Sequence, residues 1–377
     1  MKVKLTDVCE IQYGFAFDSS RFTEDSKYIP LVRIRDVKRG FSETFYSGEY
    51  TKEYVLHKDA LLIGMDGEFN IARWKDRDAL LNQRVCKLTA KKGINEEYIR
   101  FLMSKCLKKI EQKTAFVTVK HLSAKELNSL EVDMPLFNEQ NTIANTLLKI
   151  ENIIELRKRE IQYLDNLIKA RFVEMFGDPV DNPMGWEKKI LQDVVTDDCS
   201  ISYGIVQTGD NQEKGVPVFR PVDIVNHVPK LKELKKTTEE ISNKYKKTIL
   251  KGREMLITVR ANIADTCIIG EEFKGCNVGR GIVPIKTKEN IVILEFLKYL
   301  MDSKHLNDEI KSKAKGITLI QLNMEDLRKI ELIVPPIEKQ ITFVKFAEQV
   351  NKSKFEVQKA LDKTQILFDS LVQKYFG

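Results

Sequence analysis

The sequence predicts an α+β protein: two tandem α/β modules joined by two long antiparallel helices that form a coiled coil, with an internal pseudo-twofold. Three observations lead there. The stretch Thr118–Gly177 recurs as Thr318–Gly377 at a constant offset of 200 residues, pairing Leu122 with Leu322, Pro135 with Pro335, Gln140 with Gln340 and Phe176 with Phe376. Each copy ends in a long run with apolar residues at alternating steps of four and three. Each is preceded by short β-rich runs punctuated by glycine, as in small mixed modules.

The first module takes residues 1–137. Strands are expected at Tyr28–Ile34, Ala60–Ile63 and Ala79–Leu88, and a helix from Asn95 to about Lys113 with Tyr98, Phe101, Leu102 and Cys106 as its apolar face. Asn290–Lys304 is its expected counterpart in the second module, residues 187–337. Upstream of the constant repeat the offset drifts. Pro30–Arg33 echoes Pro217–Arg220 and Asp36 echoes Asp223 at 187, Asn70–Ala72 echoes Asn262–Ala264 at 192, and Arg84 echoes Arg280 at 196. Ser123 with Glu126, and Asn323 with Asp326, have the spacing of a helix N-cap and its reciprocal acid. Short strands follow at Leu130–Val132 and Ile330–Leu332, ended by Pro135 and by Pro335-Pro336.

The long helices are expected at residues 138–177 and 338–377. The first seam runs Ile143, Leu147, Ile150, Ile154, Ile161, Leu164 and Ile168, interrupted at Arg157. The second runs Phe343, Ala347, Val350, Val357, Leu361, Phe368 and Leu371, interrupted at Lys354 and Thr364. Heptad spacing held this long is the pattern of a coiled coil. The linker 178–186 is rich in Gly and Pro, which stop a helix and are expected to hold the chain extended. Two such helices in one chain bury both seams equivalently when they pair about a twofold. The modules then sit at opposite ends of a rod, and Gly377 returns close to Met1, where circular permutation should be tolerated.

Of 377 residues, 42% are hydrophobic and 31% charged, enough for two or three solvated globular domains. The net charge of +7 divides as about +2 for residues 1–186 and +5 for the rest, which permits nucleic-acid binding without requiring it. The six cysteines are scattered without metal or disulfide spacing, as expected of a reducing cytoplasm. Charged residues at Lys2 and Lys4 interrupt any signal peptide, and no apolar run approaches the ~20 residues of a membrane span.

The sequence carries no phosphate-binding glycine loop, and His57, His121, His227 and His305 form no motif with a nucleophile or metal ligands. Asn182–Gly185 lacks the aromatic that an amino-methyltransferase tetrapeptide requires. Asp181 with Glu187–Lys189 mimics a nuclease pattern only loosely, outside a β-hairpin. No metal site is expected. What repeats is polar and cationic: Arg33, Arg35, Lys38 and Arg220; Arg73, Arg260 and Asn262; Asn82, Gln83 and Arg84 against Asn277 and Arg280; Lys120 and His121 against Gln321. Each arginine alone reads as a solvated surface charge. Together on two repeated modules they favour DNA, since Arg pairs bidentately with guanine, Asn or Gln with adenine, and Lys suits phosphate. The competing reading is a coiled-coil scaffold whose end modules bind proteins or glycans.

With these residues in view the chain resembles the specificity subunit of type I restriction–modification systems over its whole length. The resemblance rests on Tyr13–Phe17, Ile29–Ile34, Asn82–Arg84, Lys120–Leu122, Pro135 with Gln140, and Met175–Pro179. The second copy is degraded: Tyr203-Gly204 lacks the following aromatics. The resemblance implies two target-recognition domains, each reading one half of an asymmetric bipartite site in double-stranded DNA. It implies a helix pair that sets the spacer and docks two methyltransferase (modification) subunits, which restriction subunits join. Such a chain is non-catalytic, with no cofactor of its own; S-adenosylmethionine, ATP and Mg²⁺ are expected on the partners.

Overall fold

The computed structural model describes residues 1–113, 120–224, 230–316 and 320–377. Thr118, Val119, His227, Thr318 and Leu319, singled out above, lie outside the described residues. The chain forms two compact units, residues 1–158 with 359–377 and residues 159–358. Each long helix contributes residues to both units.

Among the described residues, unit 1 holds two larger sheets and a short strand pair. In the four-stranded antiparallel sheet, Cys9–Tyr13, Val85–Ala90, Leu61–Gly64 and Asn70–Arg73 lie side by side. In the five-stranded sheet, Ile29–Val32 runs parallel to Ala79–Leu81. The run expected as one strand over Ala79–Leu88 is two, because Asn82, Gln83 and Arg84 turn the chain and Val85 N donates back to Asn82 O at 3.2 Å. Gly14 is needed beside this turn: a Cβ there would lie 2.0 Å from Asn82 O.

Unit 2 repeats the scheme with less strand. Thr266–Ile269, Glu254–Thr258 and Ile282–Ile285 form one sheet. Lys235–Thr237, Val216–Phe219 and Asn277–Val278 form another, its last pair parallel. Gly204 meets the same constraint as Gly14, since its Cβ would lie 2.1 Å from Val278 O. The expected helix Asn290–Lys304 is shorter and displaced: it runs Leu294–Met301 and is followed by a separate helix, Lys304–Ser312.

The capped helices form as the spacing predicts. Ser123 Oγ accepts from Glu126 N at 3.2 Å while Glu126 Oε2 accepts from Ser123 N at 3.0 Å. Asn323 Oδ1 accepts from Asp326 N at 2.8 Å. The following strands, Glu131–Asp133 and Glu331–Ile333, pair antiparallel with Lys2–Lys4 and Lys188–Ile190.

The long helices span Phe137–Phe176 and Ile337–Phe376, 40 residues each. In unit 1 the start of the first helix shares a core with the end of the second: Ile143, Ala144 and Leu147 are buried with Phe376, and Phe368 and Leu371 pack on them. In unit 2 the roles exchange, with Ile168, Phe172 and Phe176 packed with Phe343, Val344, Ala347 and Val350. Both pairings are antiparallel. Tyr98–Phe376 in unit 1 and Phe296–Phe176 in unit 2 are the same edge-on aromatic contact, at 5.4 and 5.0 Å.

The breaks in the seam also pair. Arg157 reaches the carbonyl of Ala360 and the hydroxyl of Thr364 in unit 1, and Lys354 Nζ meets Asp165 Oδ1 at 2.6 Å in unit 2.

The linker is not extended. Asn182 N donates to Asp178 O at 2.8 Å and Gly185 N to Asn182 O at 3.0 Å, giving two successive turns. Trp186 then packs on the unit 2 core and donates Nε1–H to Phe176 O at 3.0 Å. Asp178 starts the first turn by accepting from Val180 N, an arrangement that wins over extension because it satisfies backbone donors locally. In unit 1 the Met1 amino group donates to Met134 O at 3.3 Å, and Gly377 lines one pocket with Glu131–Asp133, so both lie by the same strand.

Candidate nucleic-acid interface

The two units share a backbone frame around one polar spot. In unit 1, Met65 N donates to Arg84 O at 2.9 Å, Leu122 N donates to Met65 O at 2.7 Å, and Asp66 bridges His121. In unit 2, Val259 N donates to Gly281 O at 2.9 Å, Leu322 N donates to Val259 O at 2.9 Å, and Arg260 bridges Gln321. Position by position, Met65 answers to Val259, Asp66 to Arg260, His121 to Gln321 and Arg84 to Gly281.

This register corrects the sequence alignment. Phe15 bridges Asn82 where Ile205 bridges Gly279, and Leu80 and Leu81 pair with Leu31 and Val32 where Asn277 and Val278 pair with Val218 and Phe219. Arg280 therefore stands in the place of Gln83, and Asn277 in that of Leu80. Asn277 is fully buried and bonded to Thr248 Oγ1 and Ser242 Oγ, at 2.7 and 3.0 Å, so it holds the core and cannot reach DNA. The echo of Asn70–Ala72 in Asn262–Ala264 is also out of register. The former is a strand; the latter is the turn before Thr266–Ile269. Loops of different length shift the frame by a few residues, and chance identities then outscore the true one.

Several other candidates are committed to internal partners. Arg73 Nη1 pairs with Glu96 Oε1 at 2.9 Å and donates to Asp59 O, while its Nε meets Glu97. Burial works against charging both Arg73 and Glu97, yet the paired charges outweigh it: Glu97 stays below the ordinary carboxylate range and Arg73 above its usual value. Arg220 forks onto Asp223 at 3.0 and 2.8 Å. Lys120 pairs with Glu111 at 2.9 Å, Lys38 with Glu68 at 3.3 Å, and Arg35 lies 3.7 Å from buried Asp36. Asn82 is buried at the turn.

Among the described residues, the side chains of Arg33, Gln83, Arg260, Asn262 and Arg280 have no hydrogen-bond or ion-pair partner; Arg33, Gln83, Asn262 and Arg280 are exposed and Arg260 half-buried. Arg84 is exposed with φ +70°. Its Nε lies 3.5 Å from Asp66 Oδ2, and its Nη1 lies 3.2 Å from His121 Nε2, while His121 Nδ1 contacts Asp66 Oδ1. Asp66 is the residue sequence reading missed. Its counterpart is Arg260, of opposite charge, so no repeat signal marks it. In unit 2, Gln321 Nε2 donates to Tyr203 Oη at 2.6 Å.

The seam residues Ile143, Leu147, Ile150, Ile154, Ile168, Phe343 and Val350 are buried, and Ile161, Leu164, Val357, Leu361 and Phe368 half-buried. Ile143, Leu147, Ile168, Phe343 and Val350 belong to the cores of the units, and Leu164 and Phe368 pack against them. Apolar residues of the first long helix are also exposed in each unit: Ile153 and Leu156 (63%) in unit 1, and Tyr163 (70%) and Leu167 in unit 2. These positions follow heptad-like spacing, a signal present in the sequence but masked by the stronger seam.

Nothing in the geometry resembles a catalytic centre among the described residues. Burial pushes the Cys86 thiol up to about 12, far from a reactive thiolate. Asp178, Asp181 and His305 bring ligand-type atoms within 4.8 Å of one another, but Asp178 already caps the turn through Val180 N and Asp181 N and pairs with His305. No described helix is long and apolar enough to cross a membrane.

Comparison with known proteins bears on this spot. The family model described as the type I restriction modification DNA specificity domain matches residues 1–166 and again 183–366. The chain belongs to the type I restriction–modification DNA specificity family. Its role is thus DNA recognition and not catalysis. The chain is 28% identical to the type I restriction enzyme EcoBI specificity subunit of Escherichia coli, covering 100% of this chain and 85% of that protein. It is 22% identical to the putative type I restriction enzyme MjaX specificity subunit of Methanocaldococcus jannaschii, covering 96% and 90%. In fold it is similar to the type I S subunit from M. genitalium, with a TM-score of 0.59 at 15% identity, covering 100% of this chain and 96% of that one. A chain from a study of complex assembly and conformational transition of the type I system gives a TM-score of 0.57 at 19% identity, covering 100% and 97%.

Proposed function

We propose that each unit reads one half of an asymmetric bipartite site in double-stranded DNA, that the helix pair limits the spacer, and that the chain docks two methyltransferase subunits, which restriction subunits join. One observation carries the reading: the same backbone bridge in both units carries Asp66 with His121 in one and Arg260 with Gln321 in the other. A constant frame with different polar groups is what two related readers of different sequences require. The partnerless Arg33, Gln83, Arg260, Asn262 and Arg280 add donors suited to bases and phosphates. At 1.5 Å per residue a 40-residue helix spans about 60 Å. The exposed Ile153, Leu156, Tyr163 and Leu167, and not the buried seam, suit a partner's helices. S-adenosylmethionine, ATP and Mg²⁺ are assigned to the partner subunits.

The test is duplex DNA binding by the purified complex with its methyltransferase subunits, measured across salt concentrations. The reading expects affinity to fall linearly on a log–log plot as salt rises. A complex that ignores duplex DNA but captures a protein or glycan favours the scaffold reading.

A further inference from the structure

We propose that one equivalent spot in each unit holds the sequence-reading guanidinium, and that the units supply it from different elements: Arg84 from the turn in unit 1, Arg260 from the strand end in unit 2. This rests on the DNA-recognition reading and names the residues that determine specificity within it.

The equivalence follows from the hydrogen-bond frame. Arg84 and Gly281 each accept, through their carbonyl, the amide of the residue that precedes the bridge, Met65 and Val259. In unit 1 the side chain at that turn position is long, and it leans over the bridge to Asp66 and His121. In unit 2 the turn position has no side chain. A Cβ built on Gly281 would meet Pro221 Cγ at 2.5 Å and the Cβ of Arg260 at 3.4 Å. Arg260 and Pro221 thus fill the slot that the Arg84 side chain uses. The bridge residue itself changes from an acid to the arginine. An arginine stands at this frame in each unit, supplied by the turn in unit 1 and by the bridge residue itself in unit 2.

Conservation of the group with exchange of its source separates this pair from the other arginines. Arg33 and Arg220 share one position, but Arg220 is spent on Asp223. Arg280 replaces Gln83, so that position carries a guanidinium in unit 2 alone. The settings of Arg84 and Arg260 differ in a way that predicts different readouts. Asp66 and His121 brace Arg84 from two sides, which orients its fork for the two acceptors of a guanine edge. Arg260 has no ionic brace among the described residues and stands beside Gln321, whose Nε2 is held by Tyr203. A guanine contact is expected in both half-sites, in different surroundings.

The experiment is methylation of mixed genomic DNA in vitro by the complete chain with its methyltransferase subunits and S-adenosylmethionine, followed by sequencing for modified bases. The wild-type complex must give a defined motif; an undefined motif sinks the DNA reading itself. Arg84→Ala should relax one base pair in one half of that motif, and Arg260→Ala one base pair in the other half. Each should lose roughly tenfold to a hundredfold in preference for the original base. Arg84→Lys and Arg260→Lys, which keep charge without the fork, should relax the same positions and stand in if an alanine variant fails to fold. Relaxation of the same half by both, retention of the wild-type motif, or a uniform loss of methylation with the motif intact overturns the proposal, the last outcome marking phosphate contacts.

Discussion

Gln340 accepts the backbone amide of Ile293 at 3.0 Å through Oε1 and donates through Nε2 to the carbonyls of Ile291 and Pro335. Gln140 does the same in unit 1, accepting from Asn95 N at 2.9 Å and donating to Pro135 O at 2.9 Å. Each glutamine ties the start of a long helix to the helix of the module before it. Both are buried, so their partners have no water to turn to.

Gln340→Ala should therefore leave two backbone carbonyls and one amide unsatisfied in the interior of unit 2. The expected loss is about 2–3 kcal/mol of stability, read by denaturant unfolding. A loss below about 0.5 kcal/mol would mean that the glutamine is replaceable by water.

Phe343 is fully buried against Phe172, Phe176 and Phe296. Phe343→Ala should cost about 3–5 kcal/mol by cavity formation and lost ring contacts. The same unfolding measurement checks it.

The acid limb of stability should owe part of its slope to Glu97. Burial works to raise this carboxyl, but Arg100 and Arg73 hold it lower than in the unfolded chain. A depressed folded-state pKa contributes stability above the unfolded value, and that stability is lost as pH falls through the folded value. Wild type should weaken below about pH 4, and Glu97→Gln should show a shallower decline there while being less stable at neutral pH. An unchanged acid limb would show that Arg73, Arg100 and Glu151 hold together without it.

Leu156→Glu with Tyr163→Glu should weaken assembly with the methyltransferase subunits while leaving the unfolding midpoint of the isolated chain nearly unchanged, since both side chains are largely exposed. Size-exclusion chromatography of the mixed subunits checks this. Undiminished assembly would move the docking surface elsewhere.

Much of this was legible in the sequence. The constant offset of 200 residues found the capped helices, the short strands and the glutamines, because a segment without insertions keeps its register in print as in space. The long helices were readable from heptads. The modules were not readable to the residue. Their loops differ in length, so Asn277 matches the Asn82–Arg84 turn in sequence while the backbone places it in a strand, bonded to Thr248. The Pro and Gly of the linker signal only a break in the helix, while the Asp178 and Asn182 hydrogen bonds that fold it depend on local geometry. Asp66 and Arg260 were unrecognisable as partners because their chemistry is opposite.

The proposal that each unit reads its own half of a bipartite site is tested most directly by methylome sequencing of cells carrying this chain with its partner subunits, together with a variant lengthened by one heptad in both long helices. The account predicts an asymmetric two-part motif with a non-specific spacer, and in the variant the same two half-motifs with a changed spacer. An uninterrupted motif, two identical halves, or altered half-motifs at an unchanged spacer would contradict it.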